Sequence, residues 1–365
     1  MLGRREFLPD RPGRVDGFAG PPEIFAVRRG GGPMDAFSEI LAGVKLNGAL
    51  FFNADFSAPW GFAAPPSSAL AVALALGAPH VVIYHFVVEG RAFARLEGSP
   101  SLSLAPGDVV IFPHGDPHLI WSGEESAEPR ETSAIIRKVS TRDLTALRAG
   151  GGGNTTRFVC GFMSCDPNLS RPILDGLPRI FKVNVRTDRS GQWLENSILH
   201  LVEEAGSGRV GSEAMLAKLS EALFVDTLRR YVMSLPERET GWLAGARDSM
   251  VGKCLGLMHS RVDHPWTIAE LASEVGMSRS ALSERFSRYL SEAPMSYLTR
   301  WRMQLASRYL TRTSKGVADI AAEVGYESEA AFNRAFKRVF GVPPARFRRE
   351  QRASSNQHAE SSVGG

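Results

Sequence analysis

The first half of the chain consists of short apolar runs separated by turn residues. From Phe37 to about Arg137, β-branched and aromatic residues are grouped in runs that glycine, proline and aspartate divide. These runs include GALFFNADF, HVVIYHFVVEG, SLSLAPGDVVIFPHGDPHLIW and TSAIIRKV. Short strands with this punctuation are typical of an all-β sandwich or a small barrel. We therefore predict β-structure throughout this region.

The pattern becomes helical from about residue 193. Apolar residues then recur every three or four positions, which places them on one face of an α-helix. The two clearest stripes are Leu194, Ile198, Leu199 and Val202, followed by Leu216, Leu219, Leu223, Phe224 and Leu228. Between the halves, Gly150–Asn154 reads GGGGN and predicts a flexible break. The predicted class is α+β multidomain, with strands first and helices second.

A helix-turn-helix pattern lies in WTIAELASEVGMSRSALSERFSRYL. Gly276 ends the first predicted helix, since glycine tolerates the left-handed conformation found there. Ser278 begins the second, because a serine hydroxyl can accept from an amide two or three residues onward. The apolar positions of the two helices are Ile268, Leu271, Ala272, Val275, Leu282, Phe286 and Leu290. A single copy does not exclude an ordinary helical hairpin.

A second copy follows about fifty residues later, in ADIAAEVGYESEAAFNRAFKRVFGVPPARFR. Gly325 corresponds to Gly276, and one inserted residue lengthens the second turn before Phe336 matches Phe286. The stretch MSYLTRWRMQLASRYL between the copies predicts one amphipathic helix. Such a spacer would hold the two second helices about 34 Å apart, one turn of DNA, so that both enter successive major grooves.

Positive charge is concentrated in the same region. Residues 247–352 contain 18 Lys and Arg against 11 Asp and Glu, a net charge of +7, whereas the remainder has 25 against 28, a net charge of −3. A basic region is the electrostatic signature of a polyanionic partner, but many solvated helical domains are basic too. The charge therefore supports nucleic acid binding without establishing it.

Composition excludes several other classes. The chain has 365 residues, 43% of them apolar, enough for one or two cores, and its apolar runs are shorter than the ~20 residues that cross a bilayer. No membrane segment is predicted. The N-terminal RREFL resembles a twin-arginine export signal, but Pro9 and Asp10 follow where an apolar stretch would begin. Three cysteines, an odd number, favour reduced thiols, and the cytoplasm is the expected location.

The two copies and their spacer resemble the DNA-binding domain of the AraC/XylS family of bacterial transcription regulators. The matching stretches are WTIAELASEVGMSRSALSERF, PMSYLTRWRMQLA and IAAEVGYESEAAFNRAFKRVFGVPPARFR. They cover a little under a third of the chain. The resemblance implies double-stranded promoter or operator DNA as a partner and a homodimer as the oligomeric state. It also allows RNA polymerase and a small-molecule effector as partners.

Candidate DNA-contacting residues follow from the outward faces of the two second helices. The resemblance places base contacts at Ser280, Ser283, Glu284, Glu329, Ala330, Asn333 and Arg334. Arg334 can bind guanine bidentately and Asn333 can bind adenine, whereas serines discriminate little. Contacts to phosphate, or a solvated surface, are expected for Arg279, Arg285, Lys337 and Arg338. The first copy would then position the protein more than it chooses the sequence.

The β-rich half has a candidate site of its own. Strand alternation places His85 and Glu89 on one face, and His118 lies on a later strand, so these three residues are candidates for an effector pocket. The pattern resembles the cupin barrel, in the variant fused ahead of AraC-type domains. A metal-binding cupin is expected to have a His-x-His pair, whereas His80 and His85 are five apart and face opposite sides of a strand. We predict an effector or nothing inside the barrel, with histidines that only brace it as the alternative.

Cys160 and Cys165 are five residues apart, a spacing that fits neither a metal clip nor a redox motif. Packing thiols are the default interpretation, and a site shared with His114 or His118 is the alternative. The helices between Trp193 and Tyr231 are candidates for the dimer contact, unless they pack only within the subunit.

Together these features predict a cytoplasmic, sequence-specific transcription regulator without catalytic residues, cofactor or metal. The predicted organisation is a flexible arm (1–33), a cupin-like sensor domain (34–190), a helical linker or dimerisation region (191–246), an AraC-type DNA-binding domain (247–350) and a disordered tail (351–365). The main alternative is a metal-dependent cupin enzyme with a DNA-binding tail. A non-specific architectural DNA binder is the third reading.

Overall fold

The computed structural model contains two β-sheets followed by a helical region. It describes residues 37–38, 47–73, 80–123, 132–141, 145–165, 173–205, 210–351 and 353. The predicted arm, residues 1–33, lies outside this described part, as does the predicted tail except for Gln351 and Ala353. Among the described residues, no helix combines the length and apolar character needed to cross a membrane.

The strands of the described chain form two separate sheets. They are β1 (Asn47–Ser57), β2 (Trp60–Ala64), β3 (His80–Glu89), β4 (Ala92–Leu96), β5 (Leu102–Leu104), β6 (Asp108–Phe112), β7 (His118–Ser122), β8 (Leu147–Gly150), β9 (Thr155–Cys165) and β10 (Phe181–Asn184). Sheet A has the order β10-β6-β3-β9-β1-β8, and sheet B has the order β2-β7-β4-β5. The predicted cupin-like barrel therefore takes the form of two sheets that share one core.

Helices occupy the remainder of the described chain. They are α1 (Ser67–Ala73), α2 (Thr132–Thr141), α3 (Arg189–Ala205), α4 (Ser212–Ser234), α5 (Trp242–Arg247), α6 (Ser249–Ser260), α7 (Ile268–Glu274), α8 (Arg279–Leu290), α9 (Pro294–Arg312), α10 (Val317–Glu323) and α11 (Glu329–Phe340), and residues 344–351 are helical as well. The predicted order of strands before helices is confirmed, and the exceptions are α1, which lies between β2 and β3, and α2, which lies between β7 and β8.

Both faces of sheet A are buried. Along β3 the even positions, such as Tyr84 and Phe86, pack against α3 and α4, whereas the odd positions, such as Ile83 and Val87, face sheet B. The side facing sheet B is filled by aromatic side chains that are at most 2% exposed, including Phe56, Trp60, Phe62, Phe112 and Phe158. A strand that is buried on both faces has a nearly continuous apolar sequence, without the usual alternation of apolar and polar residues. This explains why the β3 stretch HVVIYHFVVEG is apolar at almost every position.

The apolar stripes of α3 and α4 cover the other face of sheet A. Leu194, Ile198, Leu223 and Leu228 are at most 4% exposed and belong to the same core as Tyr84. These stripes therefore pack within the subunit, which was the alternative to a dimer contact. A dimer contact made through these helices would have to use their opposite faces.

The run TSAIIRKV was predicted as a strand and is the helix α2 instead. Its β-branched residues suggested a strand, but Ile135 and Val139 are four positions apart, the spacing of one helical face. Ile135 packs against the core between the sheets. Tertiary packing has overridden the β propensity of this segment.

The predicted flexible break at Gly150–Asn154 is a hydrogen-bonded turn. The Gly151 amide donates to the Ser57 carbonyl at 2.8 Å, and the Gly153 amide donates to the Ala58 carbonyl at 2.8 Å. Gly150 and Gly152 have φ values of 117° and 86°, which other residues rarely adopt. The turn leads into β9, which pairs with β1 on one side and β3 on the other.

The C-terminal helices belong to two separate hydrophobic cores. The larger one begins at sheet A, continues through α3 and α4, and includes Trp242, Leu271, Phe286 and Tyr297. The second consists of the last part of α9 with α10 and α11, and includes Ile320 and Phe336. The first helix-turn-helix unit (α7–α8) is therefore continuous with the β-rich half, whereas the second unit (α10–α11) has its own core.

Candidate nucleic-acid interface

The two turns predicted from the sequence have the same local geometry. Gly276 and Gly325 adopt φ values of 71° and 78°, and the amide after each donates to a carbonyl five residues back at 2.9 Å. This is the hydrogen bond with which a left-handed residue ends a helix. The next helices begin at Ser278 and Ser328, whose hydroxyls accept from the amides of Ala281 and Ala331. The inserted residue lies between Gly325 and Ser328, as predicted.

Buried aromatic and aliphatic side chains hold α8 and α11 in place. Leu282, Phe286, Phe332 and Phe336 are each fully buried. The candidate DNA-contacting side chains lie on the remaining faces, where Ser283 and Asn333 are half-buried and the others are exposed. These others are Arg279, Ser280, Glu284, Glu329, Ala330, Arg334, Lys337 and Arg338. The candidate residues of each helix therefore share one accessible face.

Arg285 has a structural contact that the sequence interpretation did not foresee. Its guanidinium donates to both carboxylate oxygens of Asp248, with the shortest distance 2.6 Å from Nη2 to Oδ2. Asp248 also caps α6 by accepting from the amides of Met250 and Val251. Arg285 therefore joins α8 to the start of α6, and the reading of Arg285 as a phosphate contact or solvated side chain is replaced.

The electrostatics of Asp248 agree with this role. Burial alone would raise the pKa of its carboxyl, but Arg285 and the two α6 amides outweigh burial, so the pKa lies below its ordinary value. By contrast, Arg279, Arg334, Lys337 and Arg338 take part in no ion pair with any described residue. Their charges remain available to an external polyanion.

The other candidate site is a buried chain of three side chains between the sheets. His85 on β3 lies opposite Cys160 on β9, and its Nδ1 is 2.6 Å from Cys160 Sγ. Its Nε2 is 2.8 Å from Nε2 of His118. His118 Nδ1 lies 2.8 Å from the Asp116 carbonyl oxygen. We call these residues the Cys160–His85–His118 chain.

The direction of each hydrogen bond in this chain follows from its last acceptor. A carbonyl oxygen only accepts, so Nδ1 of His118 donates to Asp116. A neutral His118 then accepts at Nε2, so His85 donates from Nε2 and accepts at Nδ1 from the Cys160 thiol. Each polar group in the chain thereby has a partner without carrying a charge.

The pKa shifts favour the same neutral state. Burial lowers the pKa of His85 well below its ordinary value, and His118 lowers it further. Burial lowers the pKa of His118 to about 4, although hydrogen bonding to Asp116 opposes the shift. Burial also raises the pKa of the Cys160 thiol, which keeps it protonated and unreactive.

Glu89, the remaining residue of the predicted pocket, is not brought into this chain, and neither are His80 and His114. Glu89 is exposed at the end of β3, beyond a register shift in the pairing with β9. His80 and His114 bond instead to the carbonyls of Pro113 and Leu177. The side chain of Cys165 lies outside the described part. Within that part, no three His, Cys, Asp or Glu side chains are grouped so as to hold a metal.

Two contacts in these sites could not be found from local sequence patterns. Arg285 and Asp248 are 37 residues apart, and His85 and Cys160 are 75 apart. The only local signal was strand alternation, which placed His85 on the inner face. Its partner Cys160 depends on the register between β3 and β9, which a single sequence does not specify.

Two family models match the chain. One, described as Cupin, matches residues 35–233, and the other, described as Helix-turn-helix domain, matches residues 271–350. The first covers the two sheets with α3 and most of α4. The second covers most of α7 and all of α8 to α11.

Several named proteins are similar over most of the chain. An AraC-like transcription regulator of Streptomyces antibioticus is 30% identical over 280 residues, 76% of this chain and 90% of the relative. The HTH-type transcriptional regulator AlkR of Acinetobacter baylyi is 25% identical over 319 residues, 87% of this chain and 100% of the relative. Among solved structures, the DNA-binding domain of AdpA in complex with a target DNA is 26% identical, with 30% of this chain and 98% of that chain covered and a TM-score of 0.29.

Replacing Arg285 should destabilise the protein. We expect Arg285→Ala to lower the free energy of unfolding by about 1–3 kcal/mol, because the Asp248 carboxylate, 5% exposed, would lose its cation. The lower end applies if water reaches Asp248 through the space left by Arg285, whose side chain is 38% exposed. Urea unfolding at pH 7 measures the change. Arg279→Ala, on the exposed face of the same helix, is the control, and equal effects would contradict the structural role of Arg285.

The buried histidines should make stability depend on pH. Burial lowers the pKa of His118 from 6.5 in the unfolded chain to about 4 in the folded one. Between these two pH values, the unfolded chain therefore binds more protons than the folded one. Stability is therefore full above about pH 6.5 and falls by about 3 kcal/mol as the pH drops to 4. His118→Asn should show a smaller loss between pH 7 and pH 4.5 in urea unfolding. The exposed His200→Asn is the control, and identical pH dependence in all three proteins would contradict the assignment.

Proposed function

The chain belongs to the AraC family of transcription regulators, and we propose that it recognises a specific DNA sequence with α8 and α11 together. The main support is that both helices expose their candidate residues on one face while Phe286 and Phe336 are buried behind them. The helix-turn-helix architecture places such a second helix in the major groove. Two helices joined by α9 would then bind two neighbouring half-sites.

We propose that α11 makes the more selective base contacts. Arg334 and Asn333 can each form two hydrogen bonds to a purine edge, guanine and adenine respectively. The face of α8 instead offers Ser280, Ser283 and Glu284, and the Ser280 hydroxyl lies 3.2 Å from that of Ser278. A serine discriminates little between bases, so the first helix would contribute mainly to position.

Phosphate binding would be provided by the cations that have no ion pair among the described residues. Arg279 lies at the start of α8, and Lys337 and Arg338 lie in the last turn of α11. Contacts to phosphate are independent of sequence and weaken with salt, because binding releases counterions from the DNA. These three residues would set affinity more than specificity.

We propose the β-rich half as the regulatory part of the protein. The Trp60 indole N–H is buried among aromatic rings and has no acceptor among the described residues. An apolar effector with one acceptor atom would satisfy this group, and its binding would act on the core between the two sheets. The Cys160–His85–His118 chain is better suited to bracing the two sheets, since each of its polar groups is already bonded.

An enzymatic cupin is the less favoured alternative. A metal needs deprotonated ligands, whereas Cys160 is held as a thiol and both ring nitrogens of His85 are occupied. The relatives that match most of the chain are named as regulators. We therefore propose a regulator that acts in the cytoplasm at promoter DNA, with RNA polymerase as its further partner.

Selection of genomic fragments by the purified protein tests the proposal. The wild type should enrich one sequence, and the genes beside it would indicate the chemistry of the effector. On that sequence Arg334→Ala should lose about 1–3 kcal/mol of binding and accept other bases at one position. Lys337→Ala is the control and should weaken binding on every sequence while reducing the salt dependence. Enrichment of no sequence would favour a non-specific DNA binder.

We propose that the protein is a homodimer formed by the outer faces of α3 and α4. Trp193, Met215 and Met233 on these helices are 63%, 58% and 67% exposed, although large apolar side chains usually lie inside. Met233→Glu should weaken association at least about fivefold in sedimentation, the effect of losing one interface anchor. The adjacent exposed Ser234→Glu is the control. A monomeric wild type, or a dimer that Met233→Glu leaves intact, would contradict this interface.

A further inference from the structure

Arg302 on α9 connects the loop before the first helix-turn-helix unit with the turn of the second. Its Nε donates to the Val262 carbonyl at 2.9 Å, and its Nη2 donates to the His264 carbonyl at 2.6 Å. Both acceptors lie in the loop that precedes the first unit. Its Nη1 donates to the carbonyl of Gly325, in the turn of the second unit, at 3.3 Å. We call Arg302 and its three acceptors the interunit clamp.

The position of Arg302 along α9 is where the two cores meet. Tyr297, Leu298 and Trp301 belong to the core of the first unit, and Met303 and Leu305 belong to the core of the second. Arg302 thus lies between the last residue of one core and the first of the other. Val262, which supplies an acceptor, packs against both cores.

The turn of the second unit is built closely around the clamp. A Cβ added to Gly325 would lie 2.6 Å from Arg302 Nη2 and 2.7 Å from the Asp263 carbonyl oxygen. Real Cβ atoms do not approach so closely, so only glycine fits. Gly276 has nearly the same φ, yet a Cβ there would meet nothing within 4 Å. The two turns share their backbone geometry and differ in what they pack against.

The guanidinium is well suited to hold this junction. It is planar and donates in several fixed directions, so it can bind three carbonyls at once, which a lysine ammonium on its flexible stem cannot reproduce. Burial lowers the pKa of Arg302 from its very high ordinary value, while nearby Tyr326 and Asp263 raise it. The Tyr326 ring centroid lies 6.0 Å from the guanidinium carbon.

We propose that Arg302 is a positioning residue that sets the separation and rotational phase of α8 and α11, and so determines which half-site spacing the protein accepts. The proposal rests on the proposed reading of DNA by both helices. A helix such as α9 sets the distance between two units, but the rotation of the second unit about α9 needs a further contact. The clamp supplies that contact from the loop before the first unit to the turn of the second.

Half-site spacing is a sensitive measure of this geometry. Adding one base pair between half-sites moves them apart by about 3.4 Å and rotates one against the other by about 35°. A rigid pair of units should reject such a change, whereas a pair with a loosened junction should tolerate it. A purely structural role for Arg302 would instead weaken binding equally at all spacings.

The experiment measures binding of the full-length protein to its selected operator and to versions lengthened or shortened by one or two base pairs. We expect the wild type to prefer its own spacing by about tenfold or more, comparable with the effect of a mismatched base pair. Arg302→Met should reduce that preference to about threefold or less while affinity for a single α11 half-site is retained. An unchanged preference, or a uniform loss at every spacing, would overturn the proposal.

Two further variants keep the result decisive if Arg302→Met does not fold. Arg302→Lys retains the charge but lacks the planar donors, and it should also broaden the accepted spacing. Gly325→Ala should do the same, whereas Gly276→Ala has the same backbone strain without the clamp contact and should keep the wild-type preference. Equal behaviour of the two glycine variants would refute the clamp. A wild type that prefers neither a sequence nor a spacing would instead refute the proposed function.

Discussion

The burial of sheet A on both faces is the constraint on which the rest of the structure depends. One face packs on sheet B, and the other needs an apolar cover, which the stripes of α3 and α4 provide. The core between sheet A and these two helices continues without interruption to Trp242 and Tyr297. The Trp242 indole N–H donates to the Tyr297 hydroxyl at 2.8 Å. The first helix-turn-helix unit is therefore packed onto the β-rich half as part of one core.

The same double burial explains why the buried polar side chains of β3 have hydrogen-bond partners on both faces of the strand. Tyr84 points toward α4 and donates to the Ser220 hydroxyl at 3.1 Å, while the neighbouring His85 points the other way into the Cys160–His85–His118 chain. A buried polar group without a partner costs about 1–3 kcal/mol, so a strand with two buried faces must satisfy each one locally. Adjacent residues of one strand thus contact both the sheet interior and the helices that lead to the DNA-binding region.

Local features of this fold could be predicted from the sequence, and long-range contacts could not. Gly276 and Ser278 were identifiable because helix ends require particular backbone angles and hydrogen-bond acceptors. Segment α2 was predicted wrongly because Ile135 lies in a β-branched run that tertiary packing turned into a helix. The contacts of Arg285, Cys160 and Arg302 depend on how distant segments pack, and the sequence alone held no pattern that paired them.

The two copies of the helix-turn-helix have diverged in how they are held, and this divergence parallels their surface chemistry. Arg285 and the shared core hold α8 to the body of the protein, and its exposed face carries mostly small or acidic side chains. The unit of α11 has a separate core and exposes Arg334, Lys337 and Arg338. The unit that exposes more of the candidate DNA-contacting cations is thus the one with a core of its own. Under the proposal for Arg302, the three hydrogen bonds of this side chain on α9 set the orientation of that unit.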